Sequence, residues 1–106
     1  MDIMGMMKKA QAMQSKLQEV QEELGRLEVE GVSGGGMVSV TMTAKSELKA
    51  VSIDPSLLTP ADKEMVEDLI LAAYSDAKTK ADRAAAEKMQ SLTAGMGPPP
   101  GLKLPF

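Results

Sequence analysis

The sequence predicts an α+β domain in which a long N-terminal helix, a three-stranded antiparallel β-meander and a long C-terminal helix follow one another. Ile3, Met6, Ala10, Met13, Leu17, Val20, Leu24 and Leu27 recur three and four residues apart, which places them on one seam of a helix. From residue 27 the apolar period shortens to two, and after residue 62 it returns to a helical one. A helix over residues 2–27 would be about 39 Å long at about 1.5 Å per residue. A compact chain of 106 residues is only about 34 Å across. The helix must therefore project, and a projecting apolar seam in water needs a second helix or a second copy of the chain to cover it.

Leu27, Val29 and Gly31 alternate with Glu28 and Glu30. Ser33, Gly34, Gly35 and Gly36 follow, and then Val38, Val40 and Met42 alternate with Ser39, Thr41 and Thr43. This pattern is that of a β-hairpin. A third run, residues 48–53, follows a polar turn at 44–47 and completes the meander, with Asp54-Pro55-Ser56 closing it. So small a sheet keeps open edges. Thr59-Pro60-Ala61-Asp62 supplies an N-cap, a proline at the first helical position and an acid three residues after the cap, the start signal for the second helix. Its stripe runs through Val66, Leu69, Ile70, Ala73, Ala77, Ala81, Ala84 and Ala85, giving about 33 residues or about 50 Å of helix and a second projecting arm. Narrowing to alanine after residue 72 predicts close helix approach and a weakly held distal half. Residues 1–94 form one domain by this reading. Gly95, Gly97 and Pro98-Pro99-Pro100 open a tail, 95–106, whose Leu102, Leu104 and Phe106 either dock or stay disordered.

Composition narrows the chemistry. With ten Met, no Trp, and Tyr74 and Phe106 as the sole aromatics, the core is aliphatic and soft. The chain has no Cys and no His, which removes disulfides, thiolate sites and the commonest general base and metal ligand. Nothing pairs a nucleophile with a base, so no enzyme, cofactor, metal or small-molecule substrate is expected. Lys8 and Lys9 are followed by Gln11, Gln14 and Ser15 rather than an apolar run, which predicts a cytoplasmic protein with no membrane partner. Met1, Met4, Met6, Met7 and Met13 read as packing or a frayed terminus rather than a soft-metal site. Gly34–Gly36 lead into a strand and not a helix, so they read as a turn rather than a phosphate cradle. Asp62, Glu64, Glu67 and Asp68 lie in the first turns of a helix, where its dipole favours acids.

Net charge is −3, but its distribution is uneven. Residues 1–16 carry Lys8, Lys9 and Lys16 against Asp2, whereas residues 17–31 carry Arg26 against five glutamates. The second helix changes sign the other way, from acidic at 59–75 to Lys78, Lys80, Arg83 and Lys88. Two arms leaving a sheet in opposite chain directions would bring these basic ends together at the tips, away from acidic halves near the sheet.

The stretches Met6-Met7-Lys8-Lys9-Ala10-Gln11-Ala12-Met13-Gln14, Asp54-Pro55-Ser56-Leu57-Leu58, Asp62-Lys63-Glu64-Met65-Val66-Glu67-Asp68-Leu69 and Pro99-Pro100-Gly101-Leu102-Lys103-Leu104-Pro105-Phe106, in this order around the glycine turn, resemble the YbaB/EbfC family of bacterial nucleoid-associated proteins. The resemblance spans nearly the whole chain. It implies a tweezer-like homodimer, with a joined sheet as its base and projecting helical arms, that binds DNA and alters its conformation in the nucleoid.

Within that frame Lys8, Lys9, Lys16, Lys78, Lys80, Arg83 and Lys88 are the candidate contacts to the phosphates of double-stranded DNA. For a single lysine a solvated helix face is the plainer reading; clustering at joined ends in both subunits raises DNA contact above it. No helix-turn-helix spacing, zinc ligand set or aromatic platform is present, so backbone and shape recognition with low sequence specificity is expected. Met6, Ala10, Met13, Leu17, Val20, Leu24, Val38 and Val40 are assigned to dimer or arm packing. The expected roles are nucleoid organisation, gene regulation and DNA protection. A holdase chaperone gripping clients by methionine, or a helical adaptor awaiting a foreign helix, are the alternatives.

Overall fold

The computed structural model describes residues 2–94, with side chains to Leu92. The element order is α1 (Ile3–Arg26), β1 (Glu28–Ser33), β2 (Val38–Thr43), β3 (Leu48–Ile53) and α2 (Lys63–Ala94). The strands form one antiparallel sheet in the order β1-β2-β3. The molecule is elongated, 72 × 27 × 15 Å, as a chain with two long helices must be. The expected α+β meander with helical arms is the observed architecture, while the expected tail at 95–106 lies outside the described residues.

Local chemistry sets the element ends. Asp2 caps α1 by accepting the Gly5 N–H at 3.1 Å, satisfying one of the donors a helix start leaves open. Between β1 and β2, Gly34, Gly35 and Gly36 all take positive φ, at 60°, 67° and 98°, a backbone that side-chain-bearing residues rarely adopt. Thr43 is fully buried, and its Oγ1 accepts the N–H groups of Lys45 and Glu47, so the β2–β3 turn is organised around one satisfied hydroxyl. Residues Pro60–Asp62 form a 3-10 turn rather than the first turn of α2, and the Thr59 hydroxyl donates to Asp62 Oδ2 at 2.9 Å instead of capping an amide. The cap-proline-acid signal marks the approach to the helix; the helix itself starts at Lys63.

The main core lies between α2 and one face of the sheet: Val38, Val40, Met42 and Leu57 pack against Ala73, Ala77 and Ala81. This refines two expectations. α2 is seated across β1 and β2 through Ala81 and runs on beyond the sheet, where Ala84, Ala85 and Leu92 pack with α1. Of the alanines expected to be weakly held, Ala73, Ala77 and Ala81 are 0 % exposed, whereas Ala84 and Ala85 are half-buried. Small side chains let the helix backbone come down onto β1 where Gly31 offers no Cβ, so contact comes from close approach rather than from side-chain area.

A smaller cluster joins the helices. Val20, Leu24 and Ala44 pack with Ala84, Ala85 and Leu92, and α1 and α2 run antiparallel through this clasp. Truncating Leu24, which is 5 % exposed, is expected to cost about 3 kcal/mol in a urea unfolding titration, since the cavity opens where α1 has few other anchors. Beyond the clasp the seam is bare: Ile3 is 67 % and Met6 65 % exposed, Ala10 and Leu17 are exposed and Met13 is half-buried. Among the described residues, Val20 and Leu24 are the buried residues of α1. Val38 and Val40 are sealed beneath α2.

Candidate nucleic-acid interface

Helical geometry sets the positions of the cations on α1. Lys9 and Lys16 are seven residues apart and share a face beside the apolar seam, and Lys8 lies about 100° round from Lys9. All three are exposed, and among the described residues none has a carboxylate within ion-pair distance. Asp2, the only acid before Glu19, is engaged at the Gly5 N–H. This stretch of α1 is therefore a basic rod without close ion pairs among the described residues, although Lys16 lies near enough to Glu23 to help lower the pKa of its carboxyl.

The cations of α2 are placed differently from the expected pole at the tips. Lys78 stands at the sheet, its Nζ 2.9 Å from Ser46 Oγ in the β2–β3 turn and 2.7 Å from Asp82 Oδ1. Lys80 also stands at the sheet, donating to the Glu30 carbonyl at 2.8 Å and pairing with Asp76 at 3.1 Å. Lys88 bridges the helices to Glu23 at 2.9 Å, and this hydrogen bond holds the Glu23 carboxyl below its ordinary range. Arg83 is exposed, and among the described residues it has no ion-pair partner. Of the cations expected to meet DNA, Lys8, Lys9, Lys16 and Arg83 are available as open charges, whereas Lys78, Lys80 and Lys88 fasten elements to one another.

Asp76 is a residue that the charge pattern alone does not single out. Its Oδ2 accepts the Val32 N–H at 3.0 Å, and this bond, followed by Lys80, lowers its pKa from the ordinary 3.8. Because the folded value is depressed, the contribution is present above the unfolded pKa and is lost as pH falls through the folded one. Protection of the Val32 amide from hydrogen exchange is expected to hold from neutrality down through the ordinary carboxylate value of 3.8 and to be lost only below it, as pH falls through the depressed folded value. The i,i+4 spacing of Asp76 and Lys80 is the sequence signal that marks the pair.

A projecting basic helix without base-reading groups suits contact with a polyanion. The sequence model of the YbaB/EbfC DNA-binding family matches residues 1–96 of this chain. The chain belongs to this family. Its YbaB/EbfC relatives include a nucleoid-associated protein of Nitrobacter hamburgensis, 58 % identical over 103 residues and covering 97 % of each chain. Another, from Methylocella silvestris, is 55 % identical over 105 residues, covering 99 % of this chain and 98 % of that one. The YbaB/EbfC fold seen here is also that of an uncharacterized protein from Helicobacter pylori solved by crystallography, with a TM-score of 0.68, 29 % identity and coverage of 91 % of this chain and 97 % of that one. No helix among the described residues of this YbaB/EbfC chain is long and apolar enough to cross a membrane.

Proposed function

We propose that the protein is a homodimeric, non-enzymatic nucleoid-associated protein of the cytoplasm that binds double-stranded DNA with low sequence specificity and stiffens, bends or bridges it. In this role it would organise the nucleoid, influence gene expression and protect DNA. Residues 1–94 act as one domain. The observation that carries the reading is the free half of α1, where Lys8, Lys9 and Lys16 stand exposed without ion-pair partners among the described residues. Exposed cations on a rod can release counterions from a duplex, while side chains this flexible read no base pattern. Support for the dimer comes from the bare seam of α1 and from β3, an edge strand exposing Leu48 at 50 % and Val51 at 46 %. A sheet edge carrying apolar side chains invites pairing.

The test is a titration of a random-sequence duplex at two salt concentrations with the mass in solution fixed by light scattering. The expected result is a dimer whose affinity falls steeply with salt. A dimer that does not bind even at low salt would overturn the DNA reading. The tip also exposes Met4 and Met7 beside Ile3 and Met6, which favours a holdase as the second reading. Binding of an unfolded polypeptide that is insensitive to salt would bring it forward.

A further inference from the structure

The two margins of the sheet differ. An edge strand offers outward N–H and C=O groups that template the next strand, and β1 and β3 are the two edges here. On β1 the outward groups flanking Gly31 are already engaged: the Val32 N–H donates to Asp76 Oδ2 at 3.0 Å, and the Glu30 carbonyl accepts from Lys80 Nζ at 2.8 Å. A residue of an incoming parallel strand would bond the same two groups, offering its carbonyl to one and its amide to the other. Asp76 and Lys80, one turn apart on α2 and paired at 3.1 Å, put a carboxylate and an ammonium in those places. The Ser33 hydroxyl, which donates to the Leu69 carbonyl, ties the end of β1 to the same helix. Among the described residues no side chain makes a comparable bond to β3.

We propose that the Asp76–Lys80 pair acts as a side-chain strand that closes β1, so that a second copy of the chain can add only at β3 and assembly stops at two. The partner excluded from β1 is the β3 edge of another copy. Pairing of β3 with β1 would be head-to-tail and would leave a free β3 at each step, which is the arrangement that grows without closing. Pairing of β3 with β3 uses up both open edges and is finite. This inference rests on the dimer reading above for the second of these pairings, but not for the closure of β1 itself.

Sedimentation velocity over a wide concentration range separates the two. The wild type is expected to keep one mass throughout. The D76A/K80M variant, with unchanged far-UV circular dichroism, is expected to grow several-fold in mass as concentration rises. Adding Val51→Lys, a charge on the open edge, is expected to stop that growth, and D76N/K80R, which keeps an acceptor and a donor, to behave as wild type. A D76A/K80M variant that keeps the wild-type mass overturns the proposal. So does growth that persists in the presence of Val51→Lys, or a wild type that itself grows. A monomeric wild type would defeat the dimer reading while leaving growth of D76A/K80M as the measure of the edge. Where D76A/K80M does not fold, the wild-type Val32 amide decides: exchange slowed at least tenfold supports closure, and exchange at the free-peptide rate overturns it.

Discussion

Replacing Gly31 with alanine is expected to cost about 3 kcal/mol of unfolding free energy, the upper end for an overpacked site, and valine at this position is expected to prevent folding. A Cβ at Gly31 would stand on the Ala73 carbonyl oxygen and the Ala77 amide nitrogen, and 2.6 Å from Ala77 Cβ. Two of those obstacles are backbone atoms of α2, so relief requires the helix to lift, and lifting it separates Ala73, Ala77 and Ala81 from Val38, Val40 and Met42 together. The urea midpoint reports the destabilisation directly. A change under about 1 kcal/mol would mean that α2 can ride outward and still stay seated on the sheet.

Reversing Lys8 and Lys9 to glutamate is expected to lower affinity for duplex DNA at least tenfold at low salt. The slope of log affinity against log salt should flatten by about 0.9 for each phosphate that the variant no longer neutralises. Stability should hold within about 0.5 kcal/mol, since both side chains are exposed and substitutions away from packed features cost little. This separation makes the pair a cleaner probe than Lys80, whose removal also strips a hydrogen bond from β1. It is cleaner than Lys88 too, whose removal unfastens the helices at Glu23. Affinity unchanged in K8E/K9E would transfer the DNA-binding role to Lys16 and Arg83 or away from α1 altogether.

The periodicities carry the architecture. A period of three and four over residues 3–27, a period of two through the strands and the return to a helical stripe each correspond to the element found. The seat of α2 is hidden for a physical reason. The area an alanine buries understates it, because its value here lies in how near it lets a backbone come, which depends on the residue opposite. The cue is a glycine inside the alternation Val29, Glu30, Gly31, Val32, since a strand glycine marks close approach. The charge runs are legible, but their partners are legible only where local. Lys78–Asp82 and Asp76–Lys80 are i,i+4 pairs, while Lys88–Glu23 joins residues far apart in sequence and depends on the helices already being packed.

The clasp between the helices gives α1 the mechanics of a lever. Its anchors, Val20 and Leu24, lie near one end, a single residue before β1 separates the helix from the sheet, and Ile3 is 21 residues from Leu24, about 32 Å along the axis. A rotation of about 10° at the clasp carries the tip through about 6 Å. That displacement exceeds the roughly 3.4 Å rise between successive phosphates of one DNA strand. The small side chains of Ala44, Ala84 and Ala85 around those anchors therefore set the compliance with which the lysines at the far end are held, and enlarging any of them changes the reach of the arm without touching a charge.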